Sequence, residues 1–150
     1  MAKGKNMIFT GPADGPHDKT QTIEGQCLTA SLLPGTVVSQ TATGLQTNTN
    51  AATVSGQEML IADKNSMMGK TVDEAWTQNE NMVAGKLRSG EFANVLVADG
   101  NNITSPGTAL ALNGSGKFAI ANTATDFVMC YSDEIINVSG SDALVRVRSK

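Results

Sequence analysis

Large apolar side chains fall at every second position in several short runs of this chain, with glycine, asparagine and serine between them. The clearest pair is Thr108-Ala109-Leu110-Ala111-Leu112 and Lys117-Phe118-Ala119-Ile120-Ala121, joined by Asn113-Gly114-Ser115-Gly116. Leu110 and Leu112 alternate with alanines, as do Phe118 and Ile120, and Asn-Gly opens the turn, so the spacing predicts a β-hairpin. Ala143-Leu144-Val145-Arg146-Val147-Arg148 predicts a strand with Val145 and Val147 facing a core and Arg146 and Arg148 facing out. Thr36–Ser39, Glu58–Asp63 and Phe127–Tyr131 read as further strands. Residues 82–88 and 92–98 read as two more, with Ser89-Gly90-Glu91 making a hairpin or a bulged corner. One short helix is predicted over Thr71–Trp76, because Thr71 and Glu74 have capping-box spacing.

Strands at roughly ten-residue spacing, with no long amphipathic helix between them, predict an all-β fold with minor α, a sandwich or small barrel. Two stretches stand apart. Gly11-Pro12-Ala13-Asp14-Gly15-Pro16 cannot continue a helix or a central strand, so residues 1–25 are expected to form an extended arm on a single domain of residues 26–150. Residues 40–57 carry only Leu45 and Val54 as large apolar groups and read as a surface loop or exposed hairpin.

Composition supports short strands and turns. Thr, Ser, Asn and Gln fill 45 of the 150 positions and glycine another 15, and of these Thr, Ser, Asn and Gly are poor in helix interiors. The 11 Lys and Arg do not outweigh 14 Asp and Glu, which argues against a nucleic-acid partner. No apolar run reaches the ~18 residues of a membrane span, and Met7-Ile8-Phe9 is too short for a signal-peptide core. Cys27 and Cys130 cannot build a disulfide framework. They are expected to be small buried hydrophobes in a cytosolic protein.

The motifs that resemble chemistry fail on spacing. Met68-Gly69-Lys70-Thr71 imitates a phosphate loop, but Lys64 stands where the first glycine belongs. Asn113–Lys117 fails likewise, with Ala111 at that place and Phe118 where a magnesium-binding hydroxyl is needed. His17, the only imidazole, lies in the Gly/Pro-rich stretch, where nothing preorganises it as a catalytic base. Asp73-Glu74 and Asp133-Glu134 are adjacent carboxylates, and neighbours on a strand point to opposite faces. Asp99-Gly100-Asn101-Asn102 lacks the later acidic ligands of a calcium loop. The expectation is a non-enzymatic protein with no catalytic residue, metal or cofactor. The outward Arg146, Arg148 and Lys150 suit either edge-strand protection or an acidic partner.

Four stretches together resemble the capsid cement, or decoration, proteins of tailed bacteriophages. They are Gly11-Pro12-Ala13 leading to Leu32–Val38, Leu60–Asn65 continuing through Gly69–Ala75, Ser105–Leu110 with Gly116-Lys117-Phe118, and Tyr131–Glu134 followed by Ala143–Arg148. The resemblance implies a jelly-roll-like or barrel-like protein on the outer capsid surface of a virion, made in the host cytoplasm. It would hold neighbouring major capsid subunits together and self-associate as a homodimer or homotrimer. The arm would order on another chain, making Met7, Ile8, Phe9, Pro12, Pro16 and His17, with Arg146 and Arg148, the candidate capsid or subunit interface. The alternative is a non-enzymatic β-sandwich module recognising glycan or peptide.

Overall fold

The computed structural model describes residues 5–11, 21–56 and 58–150. The first six strands are β1 (Phe9–Gly11), β2 (Gln21–Gln26), β3 (Val37–Gln40), β4 (Leu45–Thr47), β5 (Leu60–Ala62) and β6 (Asn81–Lys86). The other seven are β7 (Phe92–Val97), β8 (Asn102–Ile103), β9 (Ala109–Leu112), β10 (Phe118–Ile120), β11 (Cys130–Ser132), β12 (Ile136–Asn137) and β13 (Ala143–Ser149). The molecule is nearly all β, as the alternating pattern predicts.

Strands β7, β10, β9, β11 and β13 follow one another around a small barrel, and β13 closes it by pairing back onto β7. The predicted hairpin is its β9–β10 wall, in the register Leu112↔Phe118, Ala111↔Ala119, Leu110↔Ile120. Val145 and Val147 stand opposite Val95 and Ala93, and all four are buried. With Leu110, Leu112, Phe118 and Cys130 they form the barrel core, while Arg146 and Arg148 face out as expected. Because β13 is hydrogen-bonded on both sides, these arginines do not guard a sheet edge.

The second sheet runs β2-β6-β5-β3-β4 and separates two cores. Val37 pairs with Ile61, and both join the barrel-side core; Val38 pairs with Leu60, and both join the other. The second core gathers Cys27, Leu32, Leu45, Trp76 and Met82. A parallel bridge between Cys27 and Leu45 draws the two ends of this sheet together over it. Leu45 is therefore buried, although its segment reads as an exposed hairpin.

The two sheets meet at the turn before β3. Gly35 N–H donates to Ala62 O at 2.8 Å, Leu96 N–H to Gly35 O at 2.9 Å and Val37 N–H to Gly116 O at 2.7 Å. Gly35 has φ +86°, and a Cβ there would stand 2.4 Å from Leu144 Cδ2. Only glycine satisfies both the backbone angle and the contact.

Two expectations fail for physical reasons, and one pair of alternatives is decided. Thr71–Trp76 does not form a helix; the 3₁₀ turn at Ser66–Met68 is the nearest to one among the described residues. Glu74 does accept the Thr71 N–H at 2.7 Å, which is half of the capping box. Trp76, however, exchanges backbone hydrogen bonds with Leu32 and sends its indole N–H to Asp63 O at 2.6 Å, and a six-residue segment cannot nucleate a helix against that. Of the two alternatives for residues 89–91, the corner is the one formed, since β6 and β7 belong to different sheets. Residues 5–11 and 21–25 do not form a free arm: β1 pairs with β7 and β2 with β6.

Candidate functional site

The interface candidates at the two ends of the chain converge on β7. Asn94 is the pivot. It stands opposite Arg146, so its side chain points out of the barrel, yet it is buried. The N-terminal segment covers it: Asn94 N–H donates to Ile8 O and its side-chain amide to Met7 O, both at 2.6 Å. Lys64 Nζ adds a bond to Asn6 O at 2.9 Å. Lys5 is ion-paired with Glu134, whose carboxylate also accepts the Arg146 N–H at 2.7 Å. Arg146 in turn reaches Asp133 at 2.7 Å.

This network divides the predicted interface residues. Ile8 is 1% exposed and belongs to the barrel core, and Phe9 packs against the same core over Gly85. Ile8 is therefore corrected from an interface residue to a core residue, and Phe9 to a partly buried residue packed against that core; burying Ile8 contributes about 1.5–3 kcal/mol. Met7, at 55% exposed, lies on the outer face, as do Arg146 and Arg148. Half-buried Phe92 and Tyr131 flank Arg148 as its neighbours on β7 and β11. Pro12, Pro16 and His17 lie outside the described residues.

The result is an outward patch of Phe92, Tyr131, Arg146 and Arg148 on hydrogen-bonded strands, with Met7 in the segment bonded to Asn94, bordered by Asp133, Glu134 and the exposed Ile135. Sequence pattern alone missed Asn94. It sits in the apolar run of residues 92–98, and its outward direction shows only once its strand partner is known.

A second feature is a cleft of about 410 Å³ between the β6–β7 corner and the approach to β11. Met59, Leu87, Val128, Met129 and Phe127 form its walls, with Glu58, Lys86, Arg88 and Lys150 at the rim. Lys150 Nζ stands 5.6 Å from the Phe127 ring centre, a cation–π contact. Lys86 pairs with Glu58 at 2.5 Å.

The motif decoys are structural. Lys70 pairs with Glu80 at 2.9 Å, and the Glu80 carboxylate also accepts the Thr77 N–H at 2.6 Å. That hydrogen bond, with Lys70 beside it, holds Glu80 below the usual carboxylate range. Asp142 is bound by Lys117 at 2.6 Å and by the Asp99 N–H at 3.0 Å. Burial pushes its pKa up, and the hydrogen bonds and the Lys117 charge together outweigh that and lower it. Asp63 shifts the other way, raised by burial against a bond from the Lys64 N–H. Both cysteines are free and buried, and burial raises both thiols. Among the described residues no group of three His, Cys, Asp or Glu could hold a metal ion. No helix among them is long and apolar enough to cross a membrane. No protein-family model matches the chain, and no curated protein matches it either.

Proposed function

We propose that the chain is a structural virion protein that binds the outer surface of a phage capsid and cements neighbouring major capsid subunits, associating with itself as it does so. The observation that carries this reading is the resemblance, joined to where its stretches lie. The four stretches that resemble capsid cement proteins are scattered from residue 11 to residue 148, and one segment of each meets at the Gly35 junction. Gly35 and Thr36 exchange hydrogen bonds with Ala62, Val37 donates one to Gly116, and Leu144 packs where a Gly35 side chain would stand. The capsid role rests on the resemblance itself; the joint shows that its four stretches are parts of one packed unit.

The outward patch supports the same role. A cement protein needs a rigid face that meets a partner, and Met7, Arg146 and Arg148 supply an apolar anchor beside two cations on paired strands. Arg is favoured at such interfaces because its planar fork binds carboxylates bidentately. Arg146 is already paired with Asp133, so Arg148 is the cation that would meet a carboxylate on the partner. The alternative, a non-enzymatic binding module, draws on the cleft under Phe127, whose apolar walls and charged rim suit a peptide. Glycan recognition fits less well, because Trp76 is 2% exposed and cannot stack on a sugar ring.

Co-sedimentation with undecorated capsid shells tests the reading. The wild-type chain is expected to pellet with shells, and a Met7→Asp/Arg148→Glu variant of unchanged circular dichroism is expected to remain in the supernatant. Equal pelleting of the two would refute the patch. Binding of an immobilised peptide library, with no shell binding, would favour the module.

A further inference from the structure

Asn113 is the one asparagine in the chain followed by glycine, and the hairpin tip holds it in an unusual way. Its side-chain oxygen accepts two hydrogen bonds from Ser115, from the N–H at 3.0 Å and from the hydroxyl at 2.7 Å. This closure folds the side chain back over the Gly114 peptide and polarises the side-chain carbonyl. Two donors on a carbonyl oxygen are the arrangement that stabilises an oxyanion when that carbon is attacked. The Gly114 N–H donates to no acceptor among the described residues. Around Gly114 the space is open, with only Thr49 O, at 3.9 Å, within reach of a Cβ. Asn113 itself is exposed to water.

We infer that Asn113–Gly114 is a site of spontaneous deamidation, a covalent clock built into the β9–β10 turn. The Gly114 nitrogen gives its proton to solvent base and bonds to Asn113 Cγ, with the oxygen's negative charge held by Ser115. The bond from Cγ to the side-chain nitrogen breaks, and that nitrogen takes up a proton and leaves as ammonia. The product is a five-membered succinimide. Water opens it at Cγ to give aspartate, or at the main-chain carbonyl to give isoaspartate. One water is consumed, one ammonia is released and nothing is oxidised or reduced. The formal net charge moves from −3 to −4. The isoaspartate form also lengthens the backbone of a turn whose Gly116 sits against Thr36 and Thr47 at the junction of the sheets.

The molecule carries its own control. Asp99–Gly100 has the sequence for the analogous isomerisation and also lies in a turn. There the Gly100 N–H is held by Val138 O at 2.9 Å and by Asp99 Oδ1 at 2.8 Å, so the nucleophile is engaged.

The test incubates the full-length protein at neutral and at mildly alkaline pH and follows it by peptide mass mapping and enzymatic isoaspartate labelling. The peptide carrying residue 113 is expected to gain one dalton before any other asparagine peptide, faster at the higher pH, with isoaspartate at 113 and none at 99. Ser115→Ala is expected to slow conversion several-fold in the folded protein and to have no effect in denaturant, where Asp99 also becomes labelled. An unconverted residue 113 peptide while other asparagines react, or equal rates for Ser115→Ala and wild type in the folded state, overturns the inference.

Discussion

The seating of Phe9 on Gly85 decides whether the N-terminal segment belongs to this fold or to a neighbour. A Cβ on Gly85 would lie 2.2, 2.5 and 2.9 Å from three carbons of the Phe9 ring, closer than real carbon atoms approach. Gly85→Ala must therefore displace the ring, and overpacking of this kind costs about 1–3 kcal/mol. Phe9→Ala removes a partly buried ring and is expected to cost about 2–3 kcal/mol, below the range for fully buried rings. With the ring gone, the added methyl loses the three contacts that clash. Alanine is the better residue in a strand interior, so Gly85→Ala in that background should be neutral or stabilising by about 0.5–1 kcal/mol. The two substitutions thus couple by about 1–4 kcal/mol.

Urea unfolding of the four proteins, followed through the single buried Trp76, measures each term at a shared m value. Repeating it over a wide range of protein concentration separates an intramolecular contact from one made to a second copy, which would make stability concentration-dependent. Additive losses in the double variant, or a coupling that disappears on dilution, would refute the placement of residues 5–11 on their own core.

Other consequences follow from single contacts. Gly35→Ala meets both a positive φ and Leu144 at 2.4 Å, so it should cost about 3 kcal/mol or more and lower Tm by roughly 6–12 °C in calorimetry. Cys27 and Cys130, both buried with raised thiols, should resist alkylation in the folded protein and react together as urea unfolds it; rapid native labelling of Cys130 would contradict its place in the barrel. Glu80 and Asp63 should leave opposite marks on the pH dependence of stability. The lowered Glu80 stabilises above its unfolded pKa and loses that contribution as pH falls through its folded value, whereas Asp63, raised by burial, favours the fold most when protonated and loses ground as pH rises. Thermal melts of Glu80→Gln and Asp63→Asn across the acid range should flatten the first and second limb respectively.

What the chain discloses about itself follows from how many faces of each strand are buried. β13 has one apolar and one polar face, and its pattern of Val145, Val147, Arg146 and Arg148 states its orientation outright. β7 is covered on both faces, by the barrel core inside and by the N-terminal segment and the β3 turn outside, so its apolar run specifies a strand but no direction. The same holds for β5, where Leu60 and Ile61 serve different cores. Which strands pair is set by contacts far apart in sequence, and the local signal at Ser89-Gly90-Glu91 leaves hairpin and corner both open where β6 and β7 part company. The helix at 71–76 fails for a related reason: its capping contact is local and does form, while Leu32 and Asp63, which claim Trp76, are remote.

Of the described interface residues still exposed, Arg146 and Arg148 stand on the doubly paired β13 and Met7 in the segment bonded to Asn94, and this changes the expected thermodynamics of the proposed shell binding. An arm that orders on its partner buries its own apolar surface at that moment and gives a large negative heat-capacity change with a strongly unfavourable entropy. A patch built from Met7, Arg146 and Arg148 on β13 and the segment bound to Asn94 loses little more than side-chain rotamer freedom. On the proposed reading, titration calorimetry of the chain into capsid shells at several temperatures should give the small heat-capacity change of rigid docking. Its salt dependence should weaken when Arg148 is replaced, because part of the attraction is electrostatic. A heat-capacity change of the size expected for folding a segment of tens of residues would mean that the principal contact is made elsewhere than on this face.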